Sequence, residues 1–109
     1  MSEPDFKVRW AEVALRDLER IVDFIADRDP QAADRILNRI EGTARTLESL
    51  SSRGRIVPEL RAWNVSAYRE LIVDSYRLLY RVEGNKVLVI AVIDGRRDLE
   101  QALLERLID

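Results

Sequence analysis

The sequence predicts an α+β fold: an N-terminal strand, an antiparallel helical hairpin packed on a small, mainly antiparallel sheet, and a short closing helix, in the order β-α-α-β-β-β-α. Three observations carry this. Two stretches of helical apolar spacing meet at Asp29-Pro30. Alternating segments follow a break rich in Ser, Gly and Pro. The run of seven apolar residues at 87–93 then stops abruptly at Asp94-Gly95-Arg96-Arg97-Asp98, as a buried strand does where it leaves a core.

Each element has its own local reason. Residues 6–10 alternate Phe6, Val8 and Trp10 against Lys7 and Arg9, the mark of a half-buried strand. A first helix starts between Glu12 and Leu15 and ends near Arg28, with Leu15, Leu18, Val22 and Ile25 inward and Ile21 and Phe24 widening the stripe. Arg16, Asp17, Glu19, Arg20 and Asp23 take the outer side. Asp29 caps a second helix with Pro30 at its first position, and the apolar set Ala33, Ile36, Leu37, Ile40, Ala44, Leu47 and Leu50 keeps phase past Gly42. So short a joint makes the two helices antiparallel neighbours, whose stripes need a sheet to cover.

After "SSRGRIVPEL", the segment "YRELIV" reads as one strand. "YRLLYRV" is the next, with Tyr76, Leu78, Tyr80 and Val82 on one face and Arg77, Leu79 and Arg81 on the other. Gly84-Asn85 is a tight turn into the apolar run. Asp98 caps the last helix with Gln101 as its capping-box partner, and Leu99, Ala102, Leu103 and Leu107 form its buried edge.

Composition narrows the function. The 109 residues fit a single domain spanning 1–109. With no Cys and no His, disulfides, thiolate chemistry, imidazole bases and nearly every zinc site are excluded. Neither a metal nor a cofactor is expected, because carboxylates such as Asp17 and Glu19 do not share a helix face. The start of the chain lacks the pattern of a secretory leader and no apolar run reaches the roughly 20 residues that span a bilayer, so a soluble cytoplasmic protein is expected.

The net charge of −2 hides an asymmetry. Between Arg53 and Arg97 nine basic residues face five acidic ones, which leaves nine against fifteen elsewhere, and sixteen of the eighteen basic residues are arginine. Arginine offers a planar fork of donors to carboxylate or phosphate. Arg69, Arg77, Arg96 and Arg97 are therefore the candidate target-binding residues. The competing reading makes them a salt-bridged surface, with Asp94 placed to pair with Arg96 and Arg97. Tyr68, Tyr76 and Tyr80 read as sheet packing, and Trp10 and Trp63 as packing or partner anchors.

"VRWAEVALRDLERIVDFIA", "IVPEL", "YRELIVDSYRLLYRV" and "VLVIAVIDGRRD", in that order and spacing, resemble the RelE/ParE superfamily of bacterial type II toxins over essentially the whole chain. The resemblance implies a growth-inhibiting toxin of the plasmid-stabilisation kind, neutralised by a cognate antitoxin. It also implies operator DNA contact only through that antitoxin, and no membrane partner. RelE-like branches cleave messenger RNA on the ribosome; ParE-like branches poison DNA gyrase.

The ParE-like branch is the closer resemblance. Against the RelE-like site, Arg77 matches one arginine and Arg97 a second, but the last-helix tyrosine falls at Leu103 and the lysine pair of the second strand at Arg69 and Leu71. Arginines hold phosphate but move protons poorly, so the expected action is binding, with no catalytic residue assigned. One departure from the ParE-like pattern is Asp94, where a histidine is common. Two other readings stay open: a ribosome-dependent nuclease, and a non-toxic member that only binds its antitoxin.

Overall fold

The structure, a computed structural model, describes residues 6–108 and, within them, all side chains but those of residues 105, 107 and 108. β1 (Lys7–Trp10) leads into α1 (Glu12–Ala26) and α2 (Pro30–Arg45), and one 3₁₀ turn (Thr46–Glu48) closes the hairpin. β2 (Arg55–Ile56), α3 (Pro58–Ala62), β3 (Tyr68–Val73), β4 (Tyr76–Glu83), β5 (Lys86–Asp94) and α4 (Leu99–Ile108) follow. The sheet order is β1-β5-β4-β3-β2, antiparallel except for β1, which lies parallel to β5. The expected α+β architecture is thus present, with two elements added. The two-residue β2 is too short to announce itself by alternation, and α3 spans little more than one turn.

Side chains on the two sheet faces build separate cores. Ala14, Leu18, Ile36, Ile40, Ala44 and Leu47 of the hairpin segment bury Leu71, Val73, Leu78, Tyr80, Val87, Val89 and Val92. On the other face Val57, Leu79, Ala91, Ile93, Leu99 and Ala102 pack together, flanked by Leu60, Tyr68, Ile90 and Leu103. The expected split of β4 therefore holds, with Leu78 and Tyr80 toward the hairpin and Leu79 toward α4. Leu107, expected on the buried edge of α4, lies outside the residues whose side chains are described.

In β5 the alternation is broken once. Leu79 pairs with Ala91 and Tyr80 with Val89, which leaves Ile90 as the extra residue of a β-bulge. Ile90 and Ala91 consequently both serve the α4 face. The tight turn at Gly84-Asn85 pairs Glu83 with Lys86, and Gly84 takes φ 60°, as the primed turns of hairpins demand.

The hairpin corrects the sequence reading in three places. Leu15 and Phe24 are exposed, and Arg28 stacks on the Phe24 ring at 4.4 Å. Asp17, expected outside, is buried: Oδ2 accepts the Val92 N–H at 2.9 Å and pairs with Arg106 of α4. Because β1 pairs only with residues 86–89, the Val92 amide lies beyond the paired stretch, and Asp17 supplies its acceptor. Finally, α2 ends at Arg45 and Leu50 is exposed, although Asp29 caps the helix as expected, accepting the Ala32 N–H at 3.1 Å.

Candidate functional site

β3 and β4 present a polar row to the face covered by α3 and α4. Arg77 alternates with Leu78, and Glu70 with Leu71, so both polar side chains point away from the hairpin. Arg77 is 8% exposed and Glu70 is 1% exposed. Arg77 Nε donates to Glu70 Oε1 at 2.6 Å, while Nη1 and Nη2 donate to the two Glu59 oxygens at 2.7 and 2.8 Å. Arg55 completes the chain on the other Glu70 oxygen at 2.7 Å. A buried carboxylate so held is compensated on both sides, as burial of charge requires. The hydrogen bonds from Arg77 hold the Glu59 carboxyl well below the usual carboxylate range, at about 2.

The four candidate arginines do not form one cluster. Arg96 reaches the same cleft as Arg77, a space of about 320 Å³ that Arg55, Asp74 and Gly95 also line. Its guanidinium is forked onto Asp94, with Nη2 to Oδ2 at 2.9 Å and Nε to Oδ1 at 3.1 Å, so the pairing weighed for Asp94 is present. That contact draws the Asp94 pKa downward. Arg97 is exposed at the same turn, where its N–H closes onto the Asp94 carbonyl. Arg69 is on the opposite face, with Leu71 and Val73, and donates to the Gly54 carbonyl at 2.7 Å. Arg77, with its fork engaged by two carboxylates, acts here as a tie between β3, β4 and α3.

Sequence reasoning assigns Glu59 and Glu70 no role in a site, although Glu70 lies in one of the segments that carry the family resemblance. The available signal was Pro58 at a helix start with an acidic first-turn residue, in the segment otherwise read only as a break.

Beyond the polar row lies an apolar groove of about 280 Å³, floored by Tyr68, Leu79 and Ile90 and walled by Leu60, Trp63, Leu103 and Leu104. Trp63 is 58% exposed there, whereas Trp10 packs against the hairpin core. Leu103 of α4 is a wall of this groove. Tyr80 is buried, its oxygen accepting the Gly54 N–H at 2.8 Å, and burial pushes its pKa up.

The sequence model of the ParE toxins of type II toxin-antitoxin systems, parDE, matches residues 8–99. The chain belongs to this family. It is 31% identical over 88 residues to Toxin ParE3 of Caulobacter vibrioides, an alignment covering 80% of this chain and 84% of that protein. In fold it resembles the chromosomal ParDE toxin-antitoxin system from P. aeruginosa, with TM-score 0.71 and 18% identity over 84% of this chain and 98% of that one. The toxin-antitoxin complex RelBE2 from Mycobacterium tuberculosis aligns with TM-score 0.53 and 21% identity, over 83% and 98%. This ParE-type toxin therefore carries an arginine-carboxylate network and an apolar groove side by side on its α3/α4 face. No helix among the described residues is long and apolar enough to cross a membrane.

Proposed function

We propose that this ParE-type toxin, acting as a single domain in the cytoplasm, arrests growth by binding a cellular target, DNA gyrase, and that a cognate antitoxin neutralises it. The observation that carries the binding mode is the chemistry of the α3/α4 face. Its arginines are held by carboxylates and its last helix offers Leu103 where a proton donor would be needed, so the face suits docking better than hydrolysis. Arg96 and Arg97 are the foremost contact residues, because both are exposed on a turn anchored between β5 and the Asp98-capped α4. Arg77 joins them through the shared cleft, and Arg69, on the opposite face, is a candidate for a separate contact.

Two surfaces suit the antitoxin. One is the apolar groove with its exposed Trp63 and Leu104. The other is the outer edge of β1, beside a notch lined by Val8, Trp10, Glu41, Ala44, Arg45 and Glu48, where an extended segment would add a strand. Regulated expression should stop growth, co-expression of the antitoxin should restore it, and the purified toxin should block gyrase supercoiling without cutting RNA. Site-specific cleavage of messenger RNA on translating ribosomes would overturn the binding reading, and unaffected growth would leave only an antitoxin-binding module.

A further inference from the structure

The two carboxylates on Arg77 are not equivalent. Glu70 is locked from behind by Arg55 and fully enclosed, whereas the Glu59 side chain keeps 33% of its surface and stands on a helix of five residues. An open cleft lined in part by Arg77 lies alongside, with Arg96 also on its wall. An arginine fixed from behind and meeting its second carboxylate at the solvent edge is built as a receptor for a bidentate oxyanion.

We infer that the Arg77 fork beside this cleft is a carboxylate-binding site filled from within: Glu59 is its resident occupant, and a carboxylate from an acidic segment of a partner protein takes its place when α3 yields. Charge selects the class of ligand. The charged residues that line the cleft are all paired: Arg55 with Glu70, Arg77 with Glu59, Arg96 with Asp94, and Asp74 with Arg39. Withdrawal of Glu59 thus uncovers one positive charge, which one carboxylate satisfies. A nucleic-acid backbone would bring a row of phosphates against Asp74 and Asp94, and like charges oppose that approach.

The exchange also has a moving part. α3 is tethered at its start by the Val57 N–H on the Tyr68 carbonyl at 3.0 Å and leaves through Asn64, whose φ is 65°. Leu60 on α3, and Trp63 just past its end, wall the apolar groove. An apolar segment that enters the groove and shifts α3 draws Glu59 off Arg77, so the groove and the Arg77 fork are coupled through one short helix. This rests on the antitoxin reading only for the identity of the acidic segment.

The test is a titration of the isolated toxin, followed by NMR at the Arg77 Nε–H and the amides of residues 59–62. The probes are a capped triglutamate peptide and, separately, inorganic phosphate and a short single-stranded oligonucleotide. Wild type should bind the peptide weakly, with Arg77 and α3 signals moving together. Glu59→Gln should bind it about tenfold or more tightly, because the closed state no longer competes. Glu59→Asp, which keeps the charge on a shorter arm, should fall between, and it carries the comparison if the Gln variant does not fold. Equal peptide affinity in all foldable variants, or binding that leaves Arg77 unmoved, overturns the exchange. Preference for phosphate or the oligonucleotide overturns the assignment to a protein carboxylate. Because no growth assay enters, failure here is distinct from failure of the toxin reading.

Discussion

A Cβ at Gly54 would lie 2.5 Å from the Glu70 carbonyl oxygen and 2.7 Å from the Tyr80 hydroxyl, so the residue before β2 admits no side chain. Its N–H is the donor that satisfies the buried Tyr80 oxygen, and its carbonyl receives Arg69. Gly54→Ala should therefore lower stability by about 1–3 kcal/mol, the usual cost of overpacking, measured by denaturant unfolding; an unchanged midpoint would mean that the loop yields freely. Gly95 is constrained in the same way, since a Cβ there would sit 2.8 Å from the Ser75 carbonyl. Turn chemistry accounts for a glycine here, but its close approach to the neighbouring turn is visible only in three dimensions. The adjacent arginines answer to function. Arg96→Glu combined with Arg97→Glu should abolish growth inhibition and change stability by only about 0.5 kcal/mol, as exposed positions usually do. Full toxicity of the doubly reversed protein would make them a solvated turn, and a collapsed melting curve would make them part of the scaffold.

Among the elements, those with long periodicity were legible and those whose position depends on a distant partner were not. α2 was read from Asp29 and Pro30 onward because cap and stripe agree locally. On α1 the exception to the outward polar face is Asp17, whose partners Val92 and Arg106 lie 75 and 89 residues away in sequence. The buried stripe of α1 is also narrower than its spacing suggests, because Leu15 and Phe24 keep helical phase yet stay exposed, Phe24 meeting only the Arg28 guanidinium among the described ring contacts. α3 escaped notice because five residues carry too little pattern, and the Glu59–Arg77–Glu70 network escaped with it: single charges in a sequence give no sign of who faces whom. Of the candidate site, the arginines are legible by type and Asp94 by its place beside Arg96, whereas Glu59 and Glu70, which hold Arg77, are not. Asp17→Ala should test the long link. It leaves the Val92 N–H without its acceptor and Arg106 without its counter-charge, and should cost about 2–3 kcal/mol, the scale for hydrogen bonds to a charged group. A loss under half that size in chemical denaturation would mean that water replaces the carboxylate.

For the molecule as a whole, the network makes a prediction about acid. Glu59 has its pKa lowered from 4.5 to about 2 because Arg77 donates two hydrogen bonds to its ionised form. A carboxyl that is more acidic folded than unfolded binds fewer protons in the native state, so its stabilisation is complete above the unfolded value and drains away as pH falls. For Glu59 the window runs from about 4.5 down to about 2. Asp94, drawn down by Arg96, acts in the same direction. Glu59→Gln removes the titrating group while keeping the shape of its side chain. Melting temperatures of the two proteins should be furthest apart at pH 6–7, with wild type higher, and the gap should narrow steadily as the pH drops below about 4.5. Both proteins will lose stability in acid as other carboxylates protonate, so the diagnostic quantity is the difference between them and not either curve alone. Parallel curves down to the lowest pH at which both remain folded would show that Glu59 contributes no ionisation-linked stability, and that α3 is held to the sheet by its apolar contacts and not by Arg77.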